Sequence, residues 1–121
     1  MENGRITVDD RDGVSVVALL GEHDLSTAPE VGDALGRRDA VGLVVDLTQT
    51  TFLDSSILGV LLTAARDTEQ RQASFVVVIP KEPVSAARRI FDLTGLTSAL
   101  PVATDLDAAV EAGRNSTAPT G

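Results

Sequence analysis

The chain has 121 residues, enough for one domain with a single hydrophobic core. Hydrophobic residues make up 43% of the sequence but aromatic residues only 2%, so the core is built from aliphatic side chains. Because there is no cysteine and one histidine, disulfides are excluded and a zinc site is not expected. The formal net charge of -8 argues against binding to nucleic-acid phosphates or to anionic membranes.

Two kinds of apolar pattern alternate along the chain. Short runs rich in valine and leucine are separated by longer segments in which apolar residues recur at helical spacing. In chain order, these patterns predict strands at 5–9 and 14–20, a helix from 28, a strand at 43–47, a helix at 56–70, a strand at 75–79, a helix near 84–94, a short edge strand at 100–102 and a last helix after 104. The order ββαβαβα(β)α predicts one α/β domain with a mixed, mostly parallel sheet of four to five strands and about four helices.

Turn and capping residues predict where several of these elements begin and end. Residues 10–13 (DRDG) predict a hairpin turn, and Gly21 is expected to end the second strand. Residues 27–30 (TAPE) form a capping-box pattern for the first helix, with proline in its first turn. Gly95 is expected to stop the third helix and Thr104 to cap the last one.

The segment 43–62 (LVVDLTQTTFLDSSILGVLL) is the most informative part of the sequence. A β-branched strand ends at Leu47, a polar turn follows, and an apolar helix begins at Ser55 and Ser56. A serine hydroxyl is thereby placed at the positive end of a helix dipole, where a phosphate group is well tolerated. Serine is also a preferred N-cap residue, so Ser55 is either a cap or a site of modification. Because Leu58 rather than Glu follows three residues later, amide donors at this helix start are expected to stay free for an anion.

An enzymatic role for Ser55 is the less favoured alternative. A serine hydrolase needs a general base beside its nucleophile, and His23 is the one histidine. No G-x-S-x-G motif surrounds Ser55, and a carboxylate such as that of Asp24 is a poor base for an alcohol. We expect His23 to be an exposed loop residue. Asp24 is expected to be a turn residue or part of a ligand site at the carboxyl edge of the sheet.

Motifs at separate places in the chain resemble those of bacterial anti-sigma factor antagonists, the single-domain form of the STAS fold. Residues 21–24 (GEHD) resemble the G-E-apolar-D that ends the family's second strand. Residues 54–59 (DSSILG) resemble the D-S-[ST]-G-L-G before an apolar helix, and residues 89–96 (RIFDLTGL) resemble the later R-x-F-x-x-x-G-L run. Their order and spacing imply a single STAS domain with its core at about 5–112, followed by a flexible tail at 113–121.

The resemblance implies a partner-switching mechanism that regulates transcription in the bacterial cytoplasm, as in a stress response. The unphosphorylated antagonist binds an anti-sigma factor that is also a serine kinase, and so releases a sigma factor. The kinase then phosphorylates the serine that follows the motif aspartate, here Ser55 with Ser56 as second choice, and a separate phosphatase removes the phosphate. The implied partner-binding residues are Asp24, Asp54, Ser55, Ser56, Ile57 and Gly59. No enzymatic activity, cofactor or metal and no direct nucleic-acid or membrane partner is implied, and the chain is expected to be a monomer or weak dimer.

Ile57 and His23 depart from the family pattern. Ile57 stands where glycine is common and is expected to add a bulky side chain beside the acceptor serine, which would narrow access for a kinase. His23 replaces an apolar residue next to Asp24 and is expected to tune the same surface. Gly59 costs about 1 kcal/mol relative to alanine in a helix, which close approach of a partner or another backbone would offset. The alternative reading is a STAS scaffold or regulatory subunit of a stress-signalling complex, not necessarily phosphorylated.

Overall fold

The computed structural model describes residues 4–36 and 40–115, which form six strands and five helices. The strands are β1 (Arg5–Arg11), β2 (Val14–His23), β3 (Gly42–Asp46), β4 (Thr50–Leu53), β5 (Ser74–Val78) and β6 (Val102–Ala103). The helices are α1 (Ala28–Leu35), α2 (Ser55–Gln70), α3 (Ala86–Thr94), α4 (Leu96–Ala99) and α5 (Leu106–Asn115).

A mixed sheet with the strand order β1-β2-β3-β5-β6 carries the fold. Strands β1 and β2 form an antiparallel hairpin, whose turn residues Asp12 and Gly13 have φ angles of 58° and 89°. The other strand pairs of the described chain are parallel, and Val17 of β2, Val45 of β3 and Val77 of β5 lie side by side. Valine-rich parallel strands are typical of a sheet that helices cover on both faces. The predicted α/β fold class is confirmed.

The end of β2 differs from the prediction, and β4 is an additional strand. Gly21 does not end β2; with φ at 82° it forms an irregularity at which the pairing register shifts. The pairing of β2 with β3 ends at Ala18, and from Gly21 onward β2 pairs with β4. The polar residues near β4 favour a turn locally, but the Thr50 hydroxyl donates to the Leu19 carbonyl at 2.6 Å and holds this segment in the sheet. Together with the short helix α4, β4 explains why the described residues contain more elements than predicted.

Hydrophobic cores lie on both faces of the sheet. The larger core packs α1 to α4 against one face, and its fully buried side chains include Leu61 of α2 and Phe91 of α3. The smaller core packs α5 against the other face through Ala109 and Val110. Because α2 is held along its whole apolar stripe, the position of its first turn relative to the sheet is fixed.

Helix ends confirm one predicted signal and correct two others. Gly95 terminates α3 in the left-handed conformation, with φ at 74°. The cap of α5 is Asp105 rather than Thr104, since the Asp105 carboxylate accepts a hydrogen bond from the Asp107 amide at 3.2 Å. Helix α5 continues through residue 115, so the start of the predicted tail is helical. The rest of that tail, 116–121, lies outside the described residues.

Ser15 provides a test of core energetics. Its side chain is 4% exposed, and within the described part of the chain its Oγ has no hydrogen-bond partner. A buried, unpaired hydroxyl costs about 1–3 kcal/mol, so Ser15→Ala is expected to raise the free energy of unfolding by up to about 1 kcal/mol in urea titrations. The control is Thr50→Val, which removes a paired hydroxyl and is expected to destabilise the protein. Equal destabilisation by both substitutions would contradict this interpretation.

Candidate functional site

The first turn of α2 lies beside the loop that follows β2. Strands β2 and β4 are parallel and pair up to their last residues, His23 and Leu53. Their carboxyl ends therefore meet at one edge of the sheet, where ligand sites of α/β proteins are usually found. The loop of residues 24–27 and the segment Asp54–Ser55 leave the sheet together at this edge.

Asp54 caps helix α2. Its carboxylate Oδ1 accepts hydrogen bonds from the amides of Ser56 at 3.0 Å and Ile57 at 3.4 Å, and from the Ser56 hydroxyl. The hydroxyl bond is the main reason that the pKa of Asp54 lies below its usual value. Partial desolvation opposes this shift, and the amides of Ile57, Ser56 and Leu25 reinforce it. The cap is thus Asp54 rather than Ser55, and the expectation that these amides stay free for an anion is wrong for Ser56 and Ile57.

The two serines at the helix start have different environments. The Ser56 side chain is half-buried, and its hydroxyl is held by Asp54. The Ser55 side chain is exposed, and no hydrogen bond of its hydroxyl is found among the described residues. Ser55 is therefore the serine whose hydroxyl is accessible to another protein.

Asp24 organises the loop between β2 and α1. Its Oδ1 accepts hydrogen bonds from the amide of Ser26 at 2.9 Å and from the Ser26 hydroxyl at 2.6 Å. The Asp24 amide in turn donates to Thr27 Oγ1 at 3.2 Å. Because the Thr27 side chain faces this loop, it makes no capping hydrogen bond to α1, and the predicted capping box is not formed. Asp24 itself remains exposed.

His23 is buried, which corrects the expectation that it is an exposed loop residue. Strand β2 extends past Gly21, so His23 is a strand residue with 0% of its surface exposed. Its Nε2 donates toward the carbonyl oxygens of Arg5 at 3.2 Å and Leu20 at 3.1 Å, and its Nδ1 lies 3.1 Å from Thr27 Oγ1. The ring therefore holds the 24–27 loop through its hydrogen bond to Thr27, and it does not face Ser55 as a general base would.

Ile57 and Gly59 lie on opposite sides of α2. The Ile57 side chain is 0% exposed and belongs to the larger core, so the expectation that it crowds the acceptor serine at the surface is wrong. Gly59 is exposed, and a Cβ built on it would meet no atom within 4 Å. Within residues 4–36 and 40–115, therefore, no other backbone comes close enough to require a glycine here. Ser55 and Gly59 are four residues apart and share one face of the helix.

Leu25 and Phe52 adjoin this site and were not among the residues that the sequence singles out. Leu25, in the 24–27 loop, is 73% exposed, and Phe52 of β4 is 47% exposed. Leu25 is the one large apolar side chain in an otherwise polar loop, which is a recognisable signal. The exposure of Phe52 depends on β4 being a strand, and the local sequence does not indicate that strand.

The described residues contain no group of three or more His, Cys, Asp or Glu side chains arranged to hold a metal ion. In the same part of the chain, no helix is both long and apolar enough to cross a membrane. The site thus consists of exposed carboxylates, a free serine hydroxyl and apolar side chains around the start of α2. Such a surface is suited to contact with another protein.

Comparison with known proteins identifies the family. The STAS domain model matches residues 5–109. An anti-sigma-B factor antagonist of Listeria monocytogenes is 31% identical over 104 residues, which are 83% of this chain and 89% of that protein. The crystal structure of an anti-sigma factor antagonist from Mycobacterium paratuberculosis has a TM-score of 0.82 and 36% identity, covering 93% of this chain and 96% of that one.

The fold is also that of SpoIIAA, an anti-sigma factor antagonist of known structure. Its unphosphorylated form matches with a TM-score of 0.68 and 16% identity, over 92% of this chain and 99% of that one. Its phosphorylated form, from Bacillus, matches with a TM-score of 0.61 and 20% identity, over 88% and 98%. The chain therefore belongs to the STAS domain family and groups there with the bacterial anti-sigma factor antagonists.

Proposed function

We propose that this protein is an anti-sigma factor antagonist that acts by partner switching in the cytoplasm. Unphosphorylated, it binds an anti-sigma factor that is also a serine kinase, and a sigma factor is released. The kinase inactivates it by phosphorylating Ser55, and a phosphatase restores it. The observation that carries this proposal is the exposed, unbonded Ser55 hydroxyl directly after the capping Asp54.

The charge and shape of the site favour a basic protein partner. Asp24 and Ser55 are exposed, Asp54 is half-buried between them, and the chain as a whole carries a net charge of -8. Carboxylates of this kind accelerate the encounter with a positively charged surface and select against acidic ones. Gly59 leaves the adjoining turn of α2 open to close approach.

Phosphorylation of Ser55 would add about -1.5 to -2 charges at pH 7 in the middle of this surface. The phosphate would lie next to the Asp54 carboxylate, and that carboxylate already occupies the amides of Ser56 and Ile57. The helix dipole tolerates the added charge, but a bound partner would have to desolvate two neighbouring anionic groups. Release of the partner is the expected consequence, without unfolding of α2.

The switch is tested with the purified protein and the anti-sigma factor kinases of the source bacterium. The protein is incubated with each kinase and ATP, and the phosphorylated residue is identified by mass spectrometry. The cognate kinase should place phosphate on Ser55. Ser55→Ala should abolish this signal and keep kinase binding, with a change in unfolding free energy within about 0.5 kcal/mol because the hydroxyl caps nothing. Ser55→Asp should fold but bind poorly. Phosphate on Ser56, or on the protein incubated with ATP alone, would contradict the assignment.

Gly59 separates a binding role from a folding role. Gly59→Ala should stabilise α2 by up to about 1 kcal/mol, since alanine is the better helix former and no atom blocks its Cβ. The same substitution should weaken binding to the kinase in titration calorimetry. The control is Ala108→Gly on the exposed side of α5, which should lower stability and leave binding unchanged. Unaltered binding by Gly59→Ala would remove Gly59 from the contact surface.

The cap at Asp54 predicts a pH dependence of stability. Because its pKa is lowered in the folded state, the ionised carboxylate stabilises the fold above the unfolded-state pKa of about 4. That contribution is lost as pH falls through the still lower folded-state pKa. Asp54→Asn should therefore melt below the wild type at pH 7, and the difference between their Tm values should shrink as the pH falls below the unfolded-state pKa of about 4. Asp9→Asn in β1 is the control, and a constant Tm difference across pH would refute a stabilising charge.

A further inference from the structure

Leu25 is the feature of the site that the fold does not explain. Its side chain is 73% exposed, although it lies in a short loop between the buried His23 and the buried Ala28. Phe52, 47% exposed, is the second large apolar side chain at this edge of the sheet. Neither contributes to the two hydrophobic cores.

The loop that presents Leu25 is held on both sides. The Asp24 carboxylate binds the Ser26 amide at 2.9 Å, and the Thr27 amide donates to the Asp24 carbonyl at 3.0 Å. His23 Nδ1, at 3.1 Å from Thr27 Oγ1, fixes the loop to β2. Leu25 is thus exposed on a constrained backbone, so docking it requires little further ordering of the chain.

Leu25 and Phe52 lie at the edge of the sheet where Asp54 begins α2, because β2 and β4 pair up to their last residues, His23 and Leu53. The Leu25 amide is one of the groups that stabilise the ionised Asp54 carboxylate. Phe52 precedes Asp54 by two residues in an extended segment, so their side chains leave the same face of the chain. The neighbour of Phe52 on β2 is Glu22, which is exposed. An apolar pair is therefore bordered by carboxylates.

We propose that Leu25 is the apolar anchor of the partner interface, with Phe52 as its second contact. The occupant is the anti-sigma factor, which would receive Leu25 in a shallow apolar pocket with a basic rim that faces Glu22, Asp24 and Asp54. This inference rests on the proposed function. It adds that most of the affinity for the anti-sigma factor comes from Leu25. Interfaces of this kind concentrate affinity in a few central side chains inside a polar ring.

The anchor also explains why a phosphate on Ser55 would be effective. Ser55 follows Asp54 directly, and Asp54 leaves the sheet at the edge where β2 leads into the loop that carries Leu25. A phosphate there must lose hydration when Leu25 enters an apolar pocket, and this desolvation is strongly unfavourable because the apolar wall of the pocket, unlike its basic rim, offers the phosphate no partner. The modification would thus act on the strongest contact rather than on the rim.

The test measures binding of purified variants to the purified anti-sigma factor kinases of the source bacterium by titration calorimetry and surface plasmon resonance. Leu25→Ala is expected to raise the Kd for the kinase by about tenfold or more, mainly through faster dissociation, and to leave the Tm unchanged. Leu25→Met should retain most of the affinity. The matched control is Leu93→Ala on α3, which removes the same side chain at 82% exposure and should leave Kd within about twofold. Asp24→Asn keeps the oxygen that binds Ser26 and should mainly reduce the association rate at low salt.

Each outcome decides between the proposals. Wild-type protein that binds none of these kinases would overturn the proposed function and the anchor together. Wild-type binding with an unchanged Leu25→Ala affinity would overturn the anchor alone. If Leu25→Ala instead shifts the sedimentation of the free protein from dimer to monomer, the patch joins two copies of this chain, and the assignment to the anti-sigma factor is wrong.

Discussion

The change of partner along β2 at Gly21 is the constraint on which the site depends. The pairing of β2 with β3 ends at Ala18, and Gly21, with φ at 82°, is the first residue of β2 that pairs with β4. Its amide donates to the Gln49 carbonyl at 3.0 Å. A residue with a Cβ would be strained at this φ. Without this shift, β4 would have no pairing strand, and Asp54 would not be delivered next to the loop after β2. The glycine thus positions the proposed site through the topology of the sheet.

Asp54 then joins the two parts of the site. Its carboxylate accepts hydrogen bonds from the amides at the start of α2 and from the Ser56 hydroxyl. The Leu25 amide of the neighbouring loop also favours its ionised form. A single ionised group therefore caps a helix, and the neighbouring loop helps to keep that group ionised. This arrangement leaves the hydroxyl of Ser55 uncommitted, because the capping role that serine often takes is already filled. If the Ser55 side chain itself capped α2, phosphorylation of Ser55 would remove that cap and change the stability of the helix.

Local patterns predicted the features that local physics determines. The apolar stripe of α2, the left-handed stop at Gly95 and the valine-rich parallel strands follow from spacing and residue type, and all are present. The features that differ depend on distant pairing. His23 is buried because β2 extends beyond Gly21, and Thr27 turns away from its helix because His23 and Asp24 offer it closer partners. Neither interaction is visible in a window of adjacent residues.

The two faces of α2 have different environments: one packs in the hydrophobic core and the other is exposed to solvent. Ile57 and Leu61 face the core and are completely buried, whereas Ser55 and Gly59 are exposed, and a Cβ added at Gly59 would meet no described atom within 4 Å. Glycine in a helix and leucine in an exposed loop are both choices that stability alone does not favour. Both lie beside the ionised cap of α2, where the partner interface is proposed. Since the core-facing residues fix the backbone independently, the outward residues can change and alter partner choice while the fold is maintained.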